Sequence, residues 1–143
     1  MKKIAIGSDH AGFEYKEKIK KILEDNKYEV IDFGCFSGDS VDYPDFAHPV
    51  AKEVSKGEAL FGIVICGTGN GVNITVNKHM GIRSALCWEP EIAKLARQHN
   101  DANIVAIPAR FVTLDVATNI VQTFVETLFD GGRHATRVMK IDL

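Results

Sequence analysis

The segment Cys66-Gly67-Thr68-Gly69-Asn70-Gly71 concentrates the most chemistry in this sequence. Glycine at every second position lets the backbone approach a ligand closely and turn several N–H groups toward it. A helix starting just beyond adds the positive end of its dipole. Such a nest suits an anion, either a phosphate or an oxyanion that develops during a reaction. Cys66 opens the turn, and nearby N–H dipoles can lower a thiol pKa from its usual ~8.5. Its thiolate could then act as a nucleophile or as a general base. The plainer alternatives are a tight strand-to-helix connection and a small buried side chain.

No Lys-Ser/Thr pair follows these glycines, so the turn is not a P-loop. The pattern is G-x-G-x-G, not the G-x-G-x-x-G of dinucleotide sites. Further candidates stand at the ends of other segments. Asp9 and His10 follow Ile4-Ala5-Ile6, and Arg110 follows the run Ile104 to Ile107. His99 and Asn100 end a helical stretch, where a histidine is as readily a dipole partner or a surface residue. Arg133, His134 and Arg137 follow Gly131-Gly132, and paired arginines on a flexible connection make good phosphate clamps. A solvated tail is the bland reading of that cluster. Cys35 and Cys87 read as packing, and His48 and His79 as solvated helix positions. No CxxC or HxxxH spacing occurs, so the sequence asks for no metal and no cofactor.

Five short apolar runs must position these groups. They are Ile4 to Ile6, Tyr28 to Phe33, Phe61 to Ile65, Ile82 to Cys87 and Ile104 to Ile107. Between them lie segments of helical period. Phe13, Lys16, Ile19, Ile22 and Leu23 share one stripe; Phe46, Val50 and Val54 share another that ends at Gly57. Helices are also expected over 71–79, Glu91 to His99, and 113–129. Strands alternating with helices mean βαβ units and a parallel sheet. The expected fold is α/β, a Rossmann-like three-layer α/β/α sandwich with a five-stranded parallel sheet. Ligands of such sheets bind at the carboxyl ends of the strands. That expectation gathers a carboxylate, histidines, a thiol, a hydroxyl and three arginines at one edge. The last helix is apolar beyond a single stripe, from Val112 to Phe129. Either the C-terminal tail or a second copy of the chain must cover it, and the second copy is favoured in so small an α/β domain.

The 143 residues fit a single domain over 1–143, with a tail from about residue 130. Seventeen basic and nineteen acidic residues leave a formal charge of −2. That balance favours neither nucleic acid nor a polybasic membrane surface. No apolar run approaches the ~20 residues of a spanning helix. Asp9 follows Ile4-Ala5-Ile6 at once, so no secretory leader is expected. Three cysteines without pairing spacing fit a reducing cytosol, hence a cytoplasmic protein.

Five motifs in order then resemble the type B ribose-5-phosphate isomerase family, which includes galactose-6-phosphate isomerase subunits. They are Gly7-Ser8-Asp9-His10-Ala11-Gly12, Asp42-Tyr43-Pro44, the segment 66–71, Arg97-Gln98-His99-Asn100, and Gly131-Gly132-Arg133-His134-x-x-Arg137. The resemblance implies a metal-independent aldose–ketose isomerase that interconverts ribose 5-phosphate and ribulose 5-phosphate through an enediolate, in the pentose phosphate pathway. It implies Cys66 as the base between C1 and C2, with Thr68 and Asp9 assisting at the oxygens. His99 would open the furanose ring. The amides of Gly67, Gly69, Asn70 and Gly71 would hold the enediolate. Asn100 and Tyr43 would contact the sugar. His10, Arg110, Arg133, His134 and Arg137 would surround the phosphate. One branch of the family carries a glutamate base at the position of Val72, so this chain falls in the cysteine branch. The resemblance also implies a homodimer, or a dimer of such dimers, with active sites shared between chains. The alternatives are an isomerase of allose or galactose 6-phosphate, and a phosphosugar-binding module without chemistry.

Overall fold

Continuous apolar strands can only be covered on both faces, and that requirement organises this molecule. The computed structural model describes residues 1–142. Five strands form one parallel sheet: β1 (Lys3–Ser8), β2 (Glu29–Asp32), β3 (Phe61–Cys66), β4 (Ser84–Leu86) and β5 (Ile104–Pro108). Their spatial order is β2-β1-β3-β5-β4. Every residue of β3 and β5 is buried, whereas the edge strands β2 and β4 are only partly so.

Helices α1 (Phe13–Asp25), α4 (Pro90–Asn100) and α5 (Leu114–Glu126) cover one face. They pack on Ile4, Ile6, Ile63, Ile65, Val105 and Ile107. Helices α2 (Pro44–Ser55) and α3 (Asn70–Val76) cover the other, against Ala5, Val64, Cys66, Ile104 and Ala106. Alternate strand residues thus serve opposite layers, as the pleat requires. The expected three-layer sandwich and its five parallel strands are borne out.

From β1 the chain runs outward to β2 on one side and to β3 on the other. The gap between β1 and β3 is therefore the topological switch point, where such sheets open a crevice. Asp9 and Cys66 stand at that crevice. Beyond it, α3 carries the chain over β5 to β4, and α4 brings it back.

Three features lie beyond what the pattern of the sequence specifies. Lys16, on the inward stripe of α1, is fully buried as an ion pair with Asp32 at 2.7 Å. The tail beyond residue 130 forms a sixth helix, α6 (Arg133–Met139). The inward side of α5 is covered by α4 and α1, while Leu128 just past its end stays 81% exposed. Among the described residues, no helix is long and apolar enough to cross a membrane.

Candidate active site

At the carboxyl edge, the ends of β1, β3 and β5 meet. Asp9 is 8% exposed, and its Oδ1 accepts hydrogen bonds from the amides of Ala11 and Gly12. The side chain thus shapes the entry to α1. His10 Nδ1 accepts from the amide of Val41 at 3.2 Å, which leaves Nε2 as the N–H donor of the neutral ring. No motif announces Val41 as that partner, and the sequence reading missed it.

Cys66 ends β3 opposite Pro108. Its carbonyl accepts from Ala109, and the Gly67 carbonyl accepts from Arg110. These bonds lock the 66–71 turn to the end of β5. Gly69 takes a left-handed conformation, φ 73°, and a Cβ there would meet Leu86 at 2.5 Å. The Thr68 hydroxyl accepts from the Asn70 amide. Among the described residues, the Thr68 and Gly69 amides donate to no protein acceptor. Both are free to hold an anion. The Arg110 guanidinium lies against Gly67, about 3.1 Å from where a Cβ would stand. Tyr43 lies across Gly71, so close that a Cβ would fall 2.5 Å from its ring.

Gly71→Ala therefore displaces Tyr43 without touching the sheet. The expected result is roughly a tenfold loss of kcat/KM, the scale of losing substrate alignment. Removing the obstructing ring with Tyr43→Ala should restore the thermal stability of the double variant. Steady-state kinetics and calorimetry check both; a fully active Gly71→Ala overturns it.

The remaining candidates are not at this edge, which corrects the expectation of a single gathering. Helix α4 runs antiparallel to the strands, so its last residues return to the amino edge. There Asn103 accepts from Gly62 at the start of β3 and donates to Arg83 just before β4. Along β5 alone the two edges stand ~13 Å apart, at ~3.3 Å per residue. His99 and Asn100 lie beyond that. Gly131-Gly132 and α6 join them: the Asp130 amide donates to the Gln98 carbonyl, and His134 stacks on His99 with ring centres 4.3 Å apart. Loss of water around the ring holds the His134 imidazole below its ordinary range, together with His99, Arg133 and Arg137; Asp130 pulls the other way.

His99, Asp130 and His134 bring one ligand atom each within 4.8 Å. No sequence spacing predicts this triplet. Arg133 and Arg137 stand beside it, a charge set that suits an anion better than a cation. A groove of about 790 Å³ opens at the same edge, lined by Met80, Arg83, Ser84, Asn100, Ala102 and Ile141 among others.

The other thiols are packing groups, as expected. Burial alone pushes Cys87 up to about 12. It should resist iodoacetamide at pH 8 in the folded protein, which peptide mass spectrometry reads directly; rapid labelling of Cys87 would contradict its burial. The unfolded thiol ionises near 9, so its linkage to stability is absent below pH 9 and destabilises the fold as pH rises toward 12. His48 is exposed on α2, but His79 lies past the end of α3; their ring nitrogens meet at 2.7 Å.

The whole chain, and not only this arrangement, is similar to known proteins. The chain is 48% identical to ribose-5-phosphate isomerase B of Escherichia coli over 99% of its own length and 95% of the relative's. It superposes on the ribose-5-phosphate isomerase B of Clostridium thermocellum with a TM-score of 0.95 at 54% identity, covering 97% of this chain and 94% of that one. The Mycoplasma genitalium enzyme, solved with bound ribulose-5-phosphate, superposes at 0.94 with 42% identity, over 97% and 93% of the two chains. The family model described as Ribose/Galactose Isomerase matches residues 4–141, and the chain belongs to that family.

Proposed function

We propose that this protein interconverts D-ribose 5-phosphate and D-ribulose 5-phosphate through an enediolate, in the pentose phosphate pathway. The observation that carries this reading is the 66–71 turn, with a thiol and unpaired amides at the sheet's switch point. A proton α to a carbonyl is weakly acidic, so the barrier lies in the oxyanion that forms. Each well-placed N–H donor there is typically worth ~3–4 kcal/mol. Cys66 takes the proton from C2 and returns it to C1, and Thr68 and Asp9 serve the oxygens. One base on one face suffices because the carbons are neighbours. The chemistry asks the protein for no metal and no cofactor.

The full residue set assembles between two copies of one domain spanning 1–143. One chain supplies Asp9, His10, Tyr43, the 66–71 turn and Arg110. Its partner supplies His99 to open the furanose ring and Asn100 to contact the sugar. The partner's tail from about residue 130 brings Arg133, His134 and Arg137 to the phosphate. The separation of the two groups along the sheet supports a shared site, since one chain cannot close around one small substrate. Relatives that are metabolic enzymes and three free cysteines support a cytoplasmic protein, and the divided residue set supports the homodimer.

A coupled assay with purified protein tests the reaction, and no ribulose 5-phosphate from ribose 5-phosphate would falsify it. The family description also names galactose, so allose and galactose 6-phosphates belong in the same assay. Ribose 5-phosphate should give the highest kcat/KM; faster turnover of a six-carbon phosphate reassigns the substrate.

A further inference from the structure

Arg97 belongs to a motif whose neighbours His99 and Asn100 have roles, yet it has none so far. It is 6% exposed. A buried guanidinium is costly unless its donors find acceptors, and here Nε and one terminal nitrogen do. Nε donates to the Thr127 carbonyl at 3.1 Å. One terminal nitrogen donates to Asp101 Oδ1 at 2.9 Å and to the Ala102 carbonyl at 2.6 Å. The guanidinium carbon lies 4.8 Å from the centre of the Phe61 ring and 5.8 Å from that of Phe124. These contacts fix it against β3 and α5.

The acceptors matter more than their number. Asp101 and Ala102 are the turn that ends α4, where Asp101 adopts a left-handed φ of 46°. Thr127 ends α5 and begins the segment that leads through Asp130 to α6. Arg97 thus fastens together the two backbone segments that carry His99 and Asn100 on one side, and Arg133, His134 and Arg137 on the other. The Asp130–Gln98 backbone bond is the second tie across the same seam. Arg83 steadies the outer side of the turn through the carbonyls of Asn100 and Asp101.

We infer that Arg97 is a positioning residue that sets the ring-opening histidine and the phosphate arginines in register, for the active site of the partner chain. The inference rests on the shared-site reading above. A planar fork reaching three acceptors in fixed directions suits the task, and the single ammonium of lysine does not.

The defect should therefore act across the dimer. Arg97→Met keeps the aliphatic packing over Phe61 and removes the ties. Its homodimer should lose roughly ten- to a hundredfold in kcat/KM, the scale of a small misplacement of catalytic groups. The telling measurement uses differently tagged chains, with the heterodimer of Arg97→Met and Cys66→Ala isolated through both tags. One of its sites joins an intact Cys66 to an intact Arg97 half, so about half of wild-type turnover should return. A variant that is merely misfolded restores nothing. The heterodimer of His99→Ala and Cys66→Ala, made in parallel, is the control. If the control recovers and the Arg97 pair does not, the positioning role is wrong while the shared site stands. If neither recovers, the shared site fails and this inference with it. A fully active Arg97→Met homodimer also overturns it. Arg97→Lys, which keeps the charge, carries the same test should the methionine variant not fold.

Discussion

Replacing Cys66 with alanine should abolish turnover while ribose 5-phosphate still binds. The thiol ends a fully buried strand and is itself 5% exposed, beside amides free to hold an anion. Alanine fits the same space, and losing one small buried atom costs on the order of 1 kcal/mol of stability. The phosphate clamp proposed here uses none of the thiol's atoms. Binding should therefore change little, by calorimetric titration with ribose 5-phosphate. A positioned general base contributes typically ~10²–10⁴-fold, and kcat should fall by that factor. Cys66→Ser should fall nearly as far, because a hydroxyl is a far weaker base than a thiolate. If alanine at 66 leaves kcat within about twofold of wild type, the base lies elsewhere. If binding disappears as well, the turn serves the ground state and the division of roles is wrong.

The second large effect concerns which chain does what. His99→Ala and Cys66→Ala homodimers should each be nearly inactive, with losses of about 10²-fold or more. Their heterodimer should regain about half of wild-type turnover, because one of its two sites receives both intact halves. The sign follows from geometry. Cys66 sits at the carboxyl edge of the sheet and His99 beyond its amino edge, with the length of β5 between them. In a chain that works alone, each defective copy lacks one essential group and mixing cannot help. A fully active monomer, or a heterodimer no better than its parents, removes the shared site.

How far the sequence could be read depends on the range of the interactions that decided each feature. The five strands were legible because runs such as Phe61 to Ile65 and Ile104 to Ile107 have no polar residue to offer water. The 66–71 turn was legible because its glycines state their backbone needs locally: the left-handed Gly69 and the close approach of Tyr43 to Gly71 both exclude a side chain. Helical period placed Lys16 on the inward stripe, but its partner Asp32 lies on a separate strand and the period does not record it. The apolar surplus of α5 was legible as a pattern, but the packing of α4 along its inward side was not, because that contact joins separate helices.

By itself, the sequence determined the layer architecture, the family and the inventory of reactive groups. Those are written in local composition, spacing and motif. Only the tertiary structure decided that this inventory divides between two edges of one sheet. An α-helix crossing back between parallel strands must end where the next strand begins. His99, Asn100 and the α6 cluster are thereby carried away from Cys66, however close their chemistry. The same folding placed Arg97 where two backbone segments meet, which no spacing along the chain records.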